Sequence, residues 1–442
     1  MTYTAKDILE MEVAPALGCT EPVAISLGAA AAAALLPERV IDSIEVWVDP
    51  NIYKNGLAVV IPGTDQLCGL ENAAALGALG GDPSLRLEVL APIDDRIVAR
   101  VREFVSPQTV KVHLLSDEKG LLIRTLVSSG GDTAESIIEK VHDNISTLKL
   151  NGQKLTHHPL VSRVDAEGRG SLSKLEAWLR SLRLEELLAL VDDLDSEDLA
   201  FLEESVRFNL RLAEHGLKHG SGLGVGKTLD RLARQGLIKR DMILGARILC
   251  SAAADARMAG VKLPAMASAG SGNHGLTAVL PIRAVMDHVD CGEKSFLEAI
   301  GLSQIVTAYV KAYTGRLSAV CGCSIAAGAG AAAGITYLLG GTIHQIAGAV
   351  ENLTGDLAGV ICDGAKAGCA FKLATAAGTA VQASLFALQG IRVQATDGII
   401  GASLEQTTRN IGELSTQGMI ETDRTILRIM LEKRFSGFSP DR

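Results

Sequence analysis

Aromatic side chains are scarce in this 442-residue chain, at 3% of the sequence, whereas glycine alone contributes 46 residues. Hydrophobic residues still make up 48% of the chain, so a large core is available, but small aliphatic side chains must build it. Small side chains let helices approach one another closely. We therefore expect compact helical packing, and the length predicts two or three domains.

An excess of positive charge is also lacking. The formal net charge is −9 at pH 7, and no long run of lysine or arginine occurs. Binding to phosphates needs a basic surface, so a nucleic-acid partner is not expected. The first residues, MTYTAKD, lack the basic, apolar and small-residue progression of a secretion signal. This predicts a cytoplasmic protein whose cysteines stay reduced.

Residues 317–350 lack formal charge, with His344 the one residue that could gain it, which raises the question of a membrane span. Alanine, glycine, serine and threonine dominate this stretch, however, whereas bilayer spans are richer in large aliphatic residues. The sequence therefore predicts a buried helix pair here and no membrane partner.

Periodicity divides the chain into two parts. Residues 1–150 are predicted to form an α+β domain with a turn around Cys19, helices at 4–12, 24–36 and 134–148, and strands at 44–48, 57–61, 85–90, 110–115 and 121–127. Residues 151–175 turn polar and are interpreted as a linker or crossover. Residues 176–442 are predicted to form a mostly all-α, Gly/Ala-rich domain, in which 228–256 is one long helix and 421–435 is the last.

Two short motifs resemble known anion-binding loops. Residues 220–228 (GSGLGVGKT) are similar to a phosphate-binding loop, but Ser221 stands where its first glycine belongs, so we interpret the segment as a helix connection. Residues 271–275 (SGNHG) are similar to the loop that holds the substrate carboxylate in pyridoxal-phosphate-dependent serine and threonine dehydratases. The flanking pattern of their Schiff-base lysine is lacking upstream. A substrate loop or a structural turn remain the two interpretations.

Four of the eight cysteines fall in two nearby segments, Cys321 with Cys323 and Cys362 with Cys369. Soft thiolates favour zinc, copper(I) or iron–sulfur clusters, and the paired CxxC or histidine spacings of zinc sites are lacking. In one helix, Cys362 and Cys369 would lie about 10 Å apart along the axis. The two glycines between them therefore predict a loop that folds back around a cluster.

The Cys321-Gly322-Cys323 motif leaves two alternatives. Residues two apart point to nearly opposite sides of a helix, whereas both can face one centre from an extended turn. If both cysteines bind, four thiolates close the cluster and suit it to electron transfer or structure. If one binds, three thiolates leave an iron open to a substrate, as catalytic metal sites leave a position open.

Cys19 lies in a turn between Pro15 and Pro22, just before an alanine-rich helix. The positive end of that helix is expected to lower the pKa of the thiol and make it a base or nucleophile, although an ionised Glu21 would oppose this. A buried turn cysteine is the alternative.

Lys54, after the first predicted strand, either pairs with a substrate carboxylate or is an ordinary exposed lysine.

Five motifs, in this order, resemble the L-cysteine desulfidase family, which is related to the iron–sulfur serine dehydratase alpha-chain superfamily. They are 15–22 (PALGCTEP), 53–56 (YKNG), 271–275 (SGNHG), 321–327 (CGCSIAA) and 362–369 (CDGAKAGC). The resemblance implies a 4Fe–4S enzyme that converts L-cysteine and water to hydrogen sulfide, ammonia and pyruvate. By motif, Cys362 and Cys369 match two cluster ligands, Cys321 or Cys323 the third, and Cys19 the general base.

The resemblance thus implies a β-elimination of a small amino-acid substrate at a cluster site in the C-terminal domain, with an open iron as Lewis acid. The residues expected to hold the substrate are Lys54, Asn55, Ser271, Gly272, Asn273 and His274. One alternative is dehydration of L-serine or a related hydroxy amino acid by the same cluster. The other is a non-catalytic metal–thiolate redox sensor in which all four cysteines bind. A homo-oligomer is compatible with the sequence.

Overall fold

The computed structural model describes residues 2–37, 39–118, 120–161 and 172–435, so residues 162–171 of the predicted linker lie outside the described residues. The helices are α1 (Ala5–Glu12), α2 (Thr20–Ala33), α3 (Pro50–Gly56), α4 (Leu70–Gly80), α5 (Asp95–Phe104), α6 (Leu172–Leu179), α7 (Leu184–Asp192), α8 (Ser196–His219), α9 (Val225–Arg234), α10 (Met242–Met258), α11 (Gly272–Met286), α12 (Glu293–Thr314), α13 (Gly328–Leu338), α14 (Ile343–Leu357), α15 (Cys369–Leu388), α16 (Leu404–Glu413) and α17 (Ile420–Phe435). The strands are β1 (Val13–Leu17), β2 (Ser43–Val48), β3 (Val110–Leu114), β4 (Leu122–Ser129), β5 (Asp132–Glu139), β6 (Ile145–Leu150), β7 (Gln153–Lys154) and β8 (Pro264–Ser268).

Six of these strands form one sheet in the order β3-β2-β4-β5-β6-β7. β2 and β3 run parallel, and the other neighbours are antiparallel. The alanine-rich α2 is buried along its whole length and packs against β4, β5 and α4. Its backbone meets α4 closely, because a Cβ on Gly77 would lie 2.0 Å from the Ser26 carbonyl oxygen.

The helices after residue 172 gather around α10, which packs against α8, α9, α11 and α15. At two of these helix crossings, glycines allow the backbones to approach each other closely. A Cβ on Gly216 would lie 2.0 Å from the Ala252 carbonyl oxygen, and one on Gly226 would lie 2.4 Å from the Ala252 nitrogen. The prediction of a sheet-containing first part and a mostly helical second part is confirmed, with β8 the only strand described beyond residue 172.

The pairing of β1 with β8 joins the two parts. It is antiparallel and runs from Val13 opposite Ser268 to Leu17 opposite Pro264. The preceding helix α1 buries Ile8 among apolar side chains of the helical part. Because β1 leads into the Cys19 turn and β8 leads into α11, this pairing brings the turn next to the 271–275 loop.

Two predicted strands are wrong. Residues 57–61 are irregular, with an isolated bridge from Val60 to Cys68. Residues 85–90 fall largely within a 3-10 turn, Pro83–Glu88, which Asp82 caps through the backbone N–H of Ser84. The short apolar runs there pack locally instead of joining the sheet.

Two predicted helices are also wrong. Residues 134–148 form most of β5 and part of β6, where Ala134, Ser136 and Ile138 are buried and Lys140 turns the chain with a φ of 71°. Eight paired positions with β4 override the helical propensity of this segment. The predicted helix at 228–256 is divided into α9 and α10, with Gly236 at a φ of 72° between them.

The uncharged stretch 317–350 contains α13 and the first part of α14, both extensively buried in the helical part. One described helix, α15, is long and apolar enough to cross a membrane by length and composition, and 61% of its most apolar window is buried inside the fold. Core helices commonly pass this test, and α15 packs against α10, α13 and α14.

Candidate functional site

A cavity of about 90 Å³ is bordered by the turn before α2, the loop before α11, the residues around the end of α12 and the loop before α15. This volume suits a ligand of amino-acid size or an inorganic group, because drug-sized ligands occupy several hundred Å³. The predicted site residues that line the cavity are Cys19, Asn55, Ser271, Asn273, His274, Cys321, Cys323, Cys362 and Cys369. The structure does not bring Lys54 or Gly272 into its wall.

A short antiparallel bridge brings the two cysteine segments together. Val320 pairs with Ile361, and the Cys321 N–H donates a hydrogen bond to the Val360 carbonyl oxygen at 2.9 Å. Just after Cys321 the chain makes a π-helical turn, Cys323–Ala327, that leads into α13. Both thiols of the Cys-Gly-Cys motif are buried and line the cavity.

The segment between Cys362 and Cys369 is a compact loop, and α15 begins at Cys369. Gly364 has a φ of 90°, and a Cβ there would lie 2.5 Å from the Lys54 carbonyl oxygen, so the loop packs directly on α3. Asp363 forms salt bridges with Lys366 in the loop and with Lys372 in α15. Burial raises the pKa of Asp363, but these ammonium groups outweigh it and lower the pKa to about 2.

The four thiols differ in acidity. A hydrogen bond from Cys323 lowers the pKa of Cys321 to about 5, and the same contact raises the pKa of Cys323 well above its ordinary value. Burial raises the pKa of Cys369 to about 11 and also raises that of Cys362. Within the described ranges, no three histidine, cysteine, aspartate or glutamate side chains converge closely enough to hold a single metal ion. The thiols instead share the wall of the cavity.

Cys19 is buried at the N-cap of α2, and its Sγ donates a hydrogen bond to Glu21 Oε2 at 3.0 Å. Burial and the charge of Glu21 raise the pKa of Cys19 well above its ordinary value, against a smaller opposing effect of Arg257. The expectation of a lowered pKa for Cys19 is therefore wrong. Loss of water around the thiolate outweighs the helix end.

Glu21 is the centre of a buried polar group. Its Oε2 also accepts from Thr20 Oγ1 at 3.1 Å, and its Oε1 accepts from Asn55 Nδ2 at 2.9 Å and lies 3.9 Å from His142 Nε2. Burial raises the pKa of Glu21, but the nearby His142 and the hydrogen bond from Cys19 help to outweigh it, and the net shift is downward. Burial lowers the pKa of His142. The site thus holds a carboxylate beside a neutral imidazole.

Arg257 ties the loop before α11 to the turn before α2. Its Nη1 donates to Asn273 Oδ1 at 2.8 Å, and its Nη2 donates to the Gly18 carbonyl oxygen. A Cβ on Gly272 would lie 2.5 Å from Arg257 Nε. Gly272 therefore serves this site by leaving room for the guanidinium.

His274 and Lys311 meet beside the Cys-Gly-Cys motif. His274 Nδ1 lies 3.2 Å from the Ser268 carbonyl oxygen and donates to it, which leaves Nε2 as an acceptor. A Cβ on Gly322 would lie 2.3 Å from His274 Nε2 and 3.1 Å from Lys311 Nζ. Burial and the charge of Lys311 lower the pKa of His274 well below its ordinary value, so the imidazole is neutral.

Lys54 is buried in α3, so its interpretation as an exposed lysine is wrong. Its Nζ forms a salt bridge with Asp423 of α17. Its charge acts on Cys362, where it opposes the larger effect of burial on the thiol pKa. Lys54 therefore lies behind the cysteine loop and not in the cavity wall.

The glycine-rich segment 220–228 binds one of the protein's own carboxylates. Asp255 Oδ2 accepts a hydrogen bond from the Gly226 N–H at 3.0 Å, at the beginning of α9. The residues before Gly226 also donate backbone hydrogen bonds to Asp255. The interpretation as a helix connection agrees with this geometry, because a carboxylate of α10 already occupies the anion-binding position.

The family model for the serine dehydratase alpha chain matches residues 122–428, more than half of the sequence. The chain belongs to the serine dehydratase alpha chain family. It is 62% identical to a UPF0597 protein of Desulfatibacillum aliphaticivorans over 437 residues, which cover 99% of this chain and 100% of that protein. It is 42% identical to a UPF0597 protein of Clostridioides difficile, with 96% and 98% covered, and 40% identical to one of Geobacter sulfurreducens, with 97% and 98% covered.

Sequence reasoning missed several residues of the cavity wall. Those that carry charge or titrate are His142, Arg257, Lys311, Arg316 and Lys372, and Glu21 was considered only for its effect on Cys19. A signal was available for Lys311, because it is the only charged residue between Glu298 and Arg316. A lone charge in an apolar helix is seldom buried without a partner or a ligand.

Proposed function

We propose that this protein is an iron–sulfur lyase that releases hydrogen sulfide from L-cysteine by β-elimination. The supporting observation is that Cys19 and the four clustered cysteines line one cavity. In the proposed reaction, L-cysteine loses its α-proton and its thiol group, which leave together as hydrogen sulfide. The remaining aminoacrylate reacts with water to give pyruvate and ammonia.

The set of donor atoms fits a 4Fe–4S cluster. Cysteine thiolates are the usual ligands of such clusters, and a cluster of several irons suits thiols that are spread along a cavity wall. We assign Cys321, Cys362 and Cys369 as the ligands, with Cys323 as the neighbour that stabilises the Cys321 thiolate by a hydrogen bond. When bound, the cluster would supply Lewis-acid chemistry toward the sulfur of the substrate.

Cys19 is the proposed general base, and it must first lose its own proton. Glu21 accepts the hydrogen bond of the thiol at 3.0 Å, and the neutral imidazole of His142, whose Nε2 lies 3.9 Å from Glu21 Oε1, is the group that takes up the proton by way of this carboxylate. The charge of Glu21 also raises the pKa of Cys19. A substrate ammonium group beside Glu21 would cancel this contribution and favour the thiolate. In this proposal, binding of the amino acid itself prepares the base.

The loop before α11 supplies the remaining substrate contacts. Ser271, Asn273 and His274 line the cavity, and Asn55 orients Glu21 through its 2.9 Å hydrogen bond.

Thiolates at such a cavity need a reducing compartment. All eight cysteines are free, which supports a cytoplasmic location.

Dehydration of L-serine is the second candidate, because the matching family model describes a serine dehydratase alpha chain. The same residues would then remove the α-proton while hydroxide leaves in place of sulfide.

Anaerobic purification tests both candidates. We expect iron and acid-labile sulfide in equal amounts, and release of sulfide and pyruvate from L-cysteine. Pyruvate from L-serine with no sulfide from L-cysteine would favour the second candidate. A cluster that needs all four cysteines and turns over neither amino acid would indicate a redox sensor. Bound zinc without iron or labile sulfide would contradict the cluster.

A further inference from the structure

Lys311 is a buried cation in the cavity wall to which the proposed mechanism gives no role. It lies near the end of α12, and its side chain is only 3% exposed. It forms no salt bridge with any carboxylate of the described residues. The groups that stabilise its charge include the thiols of Cys321, Cys323 and Cys362. Because a buried ammonium without a carboxylate partner is costly, the position suits an anionic group that enters the cavity beside these thiols.

The other cations of the cavity wall already have partners. Arg316 is bound to Glu12 and Glu176, and Lys372 to Asp363. Arg257 uses its two terminal nitrogens in hydrogen bonds to protein oxygens. Lys54, the cation that the sequence suggested for the substrate carboxylate, is paired with Asp423 outside the cavity.

The surroundings of Lys311 Nζ match the polar end of an amino acid. Its Nζ and His274 Nε2 both reach the place where a side chain on Gly322 would stand, between the two cysteines of the motif. His274 Nε2 is an acceptor, because Nδ1 donates to a carbonyl group. A cation and a neutral imidazole therefore lie side by side next to the thiols, where a carboxylate can be bound.

We propose that Lys311 binds the carboxylate of the amino-acid substrate, in the role that the sequence assigned to Lys54. This inference rests on the proposed function, since it concerns the ligand of the same cavity. The charge of Lys311 would hold the α-carbon near the thiols, and the glycine between Cys321 and Cys323 would be required because both polar groups reach through that space.

The test compares ligands with and without a carboxylate, using anaerobically prepared protein that carries its cluster. Lys311→Met is expected to raise the KM for L-cysteine and the Kd of the unreactive analogue L-alanine, measured by calorimetry, about 10- to 100-fold. The Kd of cysteamine, which has no carboxylate, is expected to change less than about threefold, and Lys311→Arg to restore part of the L-alanine affinity. Lys262→Met is the control, because this exposed lysine donates a hydrogen bond to the Ile93 carbonyl oxygen outside the cavity.

Two results would overturn the proposal. One is an unchanged KM and an unchanged L-alanine Kd in Lys311→Met. The other is loss of iron and labile sulfide with an unchanged KM per bound cluster, which would assign Lys311 to balancing the cluster charge. If circular dichroism shows that Lys311→Met is unfolded, Lys311→Gln provides the same comparison. Failure of the proposed function is distinguishable, because protein that turns over no amino acid can still be tested for L-alanine binding.

Discussion

Val320 and Ile361 face each other in an isolated antiparallel bridge, and this bridge places Cys321 and Cys362 on one face as diagonal neighbours. The N–H of each cysteine donates to a carbonyl group on the opposite segment, at 2.9 Å and 2.6 Å respectively. Diagonal neighbours of this kind are roughly 7–8 Å apart in their backbones. Two segments separated by forty residues in sequence are thus fixed in register at the cavity wall.

The bridge supports the proposal that Cys321, and not Cys323, is the third ligand. Cys321 lies in the bridge, and its pKa is lowered, whereas that of Cys323 is raised. We expect Cys321→Ala to lose most of its iron and acid-labile sulfide and Cys323→Ala to retain most of both. Metal and sulfide analysis after anaerobic reconstitution measures this. The assignment would be reversed if Cys323→Ala were the variant without a cluster.

Replacement of Cys19 distinguishes a role of this residue in proton removal from a role in binding the cluster. Because general-base catalysis contributes about 10²- to 10⁴-fold, Cys19→Ser is expected to lower kcat by that factor and to leave the visible absorbance of the cluster unchanged. Cys68→Ser is a matched control, since Cys68 is an exposed cysteine outside the cavity. Near wild-type turnover in Cys19→Ser would remove this residue from the mechanism.

Much of the architecture was predictable from local patterns. The alternating, β-branched run of β2 predicts its strand, and the two glycines between Cys362 and Cys369 predict the compact loop. The helix prediction for 134–148 failed because β5 and β6 exist only through pairing with other strands. A pattern within one segment carries no information about such partners.

The same limit applies to the site. The cysteine spacing predicted which thiols line the cavity, because clustered cysteines have the same distinctive chemistry in any fold. The role of Lys54 depends on Asp423, which is 369 positions away along the chain, and the surroundings of Cys19 depend on Arg257. Burial is the largest cause of the raised pKa of Cys19, and that burial exists only once distant parts of the chain have packed around the turn, so the raised pKa could not be predicted from the turn alone.

Gly322→Ala tests whether the space between the two cysteines is required. The added methyl group would lie 2.3 Å from His274 Nε2, whose ring is held by its hydrogen bond to Ser268. We expect at least about a tenfold lower kcat/KM and a loss of about 1–3 kcal/mol in the free energy of unfolding. Gly359→Ala is the control, because a Cβ there meets no atom within 4 Å. Equal activity in the two variants would contradict a steric requirement at Gly322.

Asp49 is expected to make stability depend on pH at the helix that carries Asn55. Its carboxylate is fully buried and accepts hydrogen bonds from the N–H groups of Asn51, Ile52 and Leu122. Burial nevertheless raises its pKa from 3.8 to about 6, so the folded protein binds this proton more tightly than the unfolded chain. The contribution of Asp49 to stability is therefore complete below pH 3.8 and is lost as the pH rises through 6.

Asp49→Asn removes this titration, because the amide is neutral at every pH. The difference in unfolding free energy, wild type minus Asp49→Asn, is expected to fall by about 2.4 kcal/mol between pH 4 and pH 7, since each pKa unit corresponds to about 1.4 kcal/mol and the unfolded carboxyl is already partly ionised at pH 4. Urea unfolding of both proteins at the two pH values measures it. Taking the difference cancels every other titrating group that the substitution leaves unchanged. A difference that stays constant with pH would mean that Asp49 keeps an ordinary pKa in the fold.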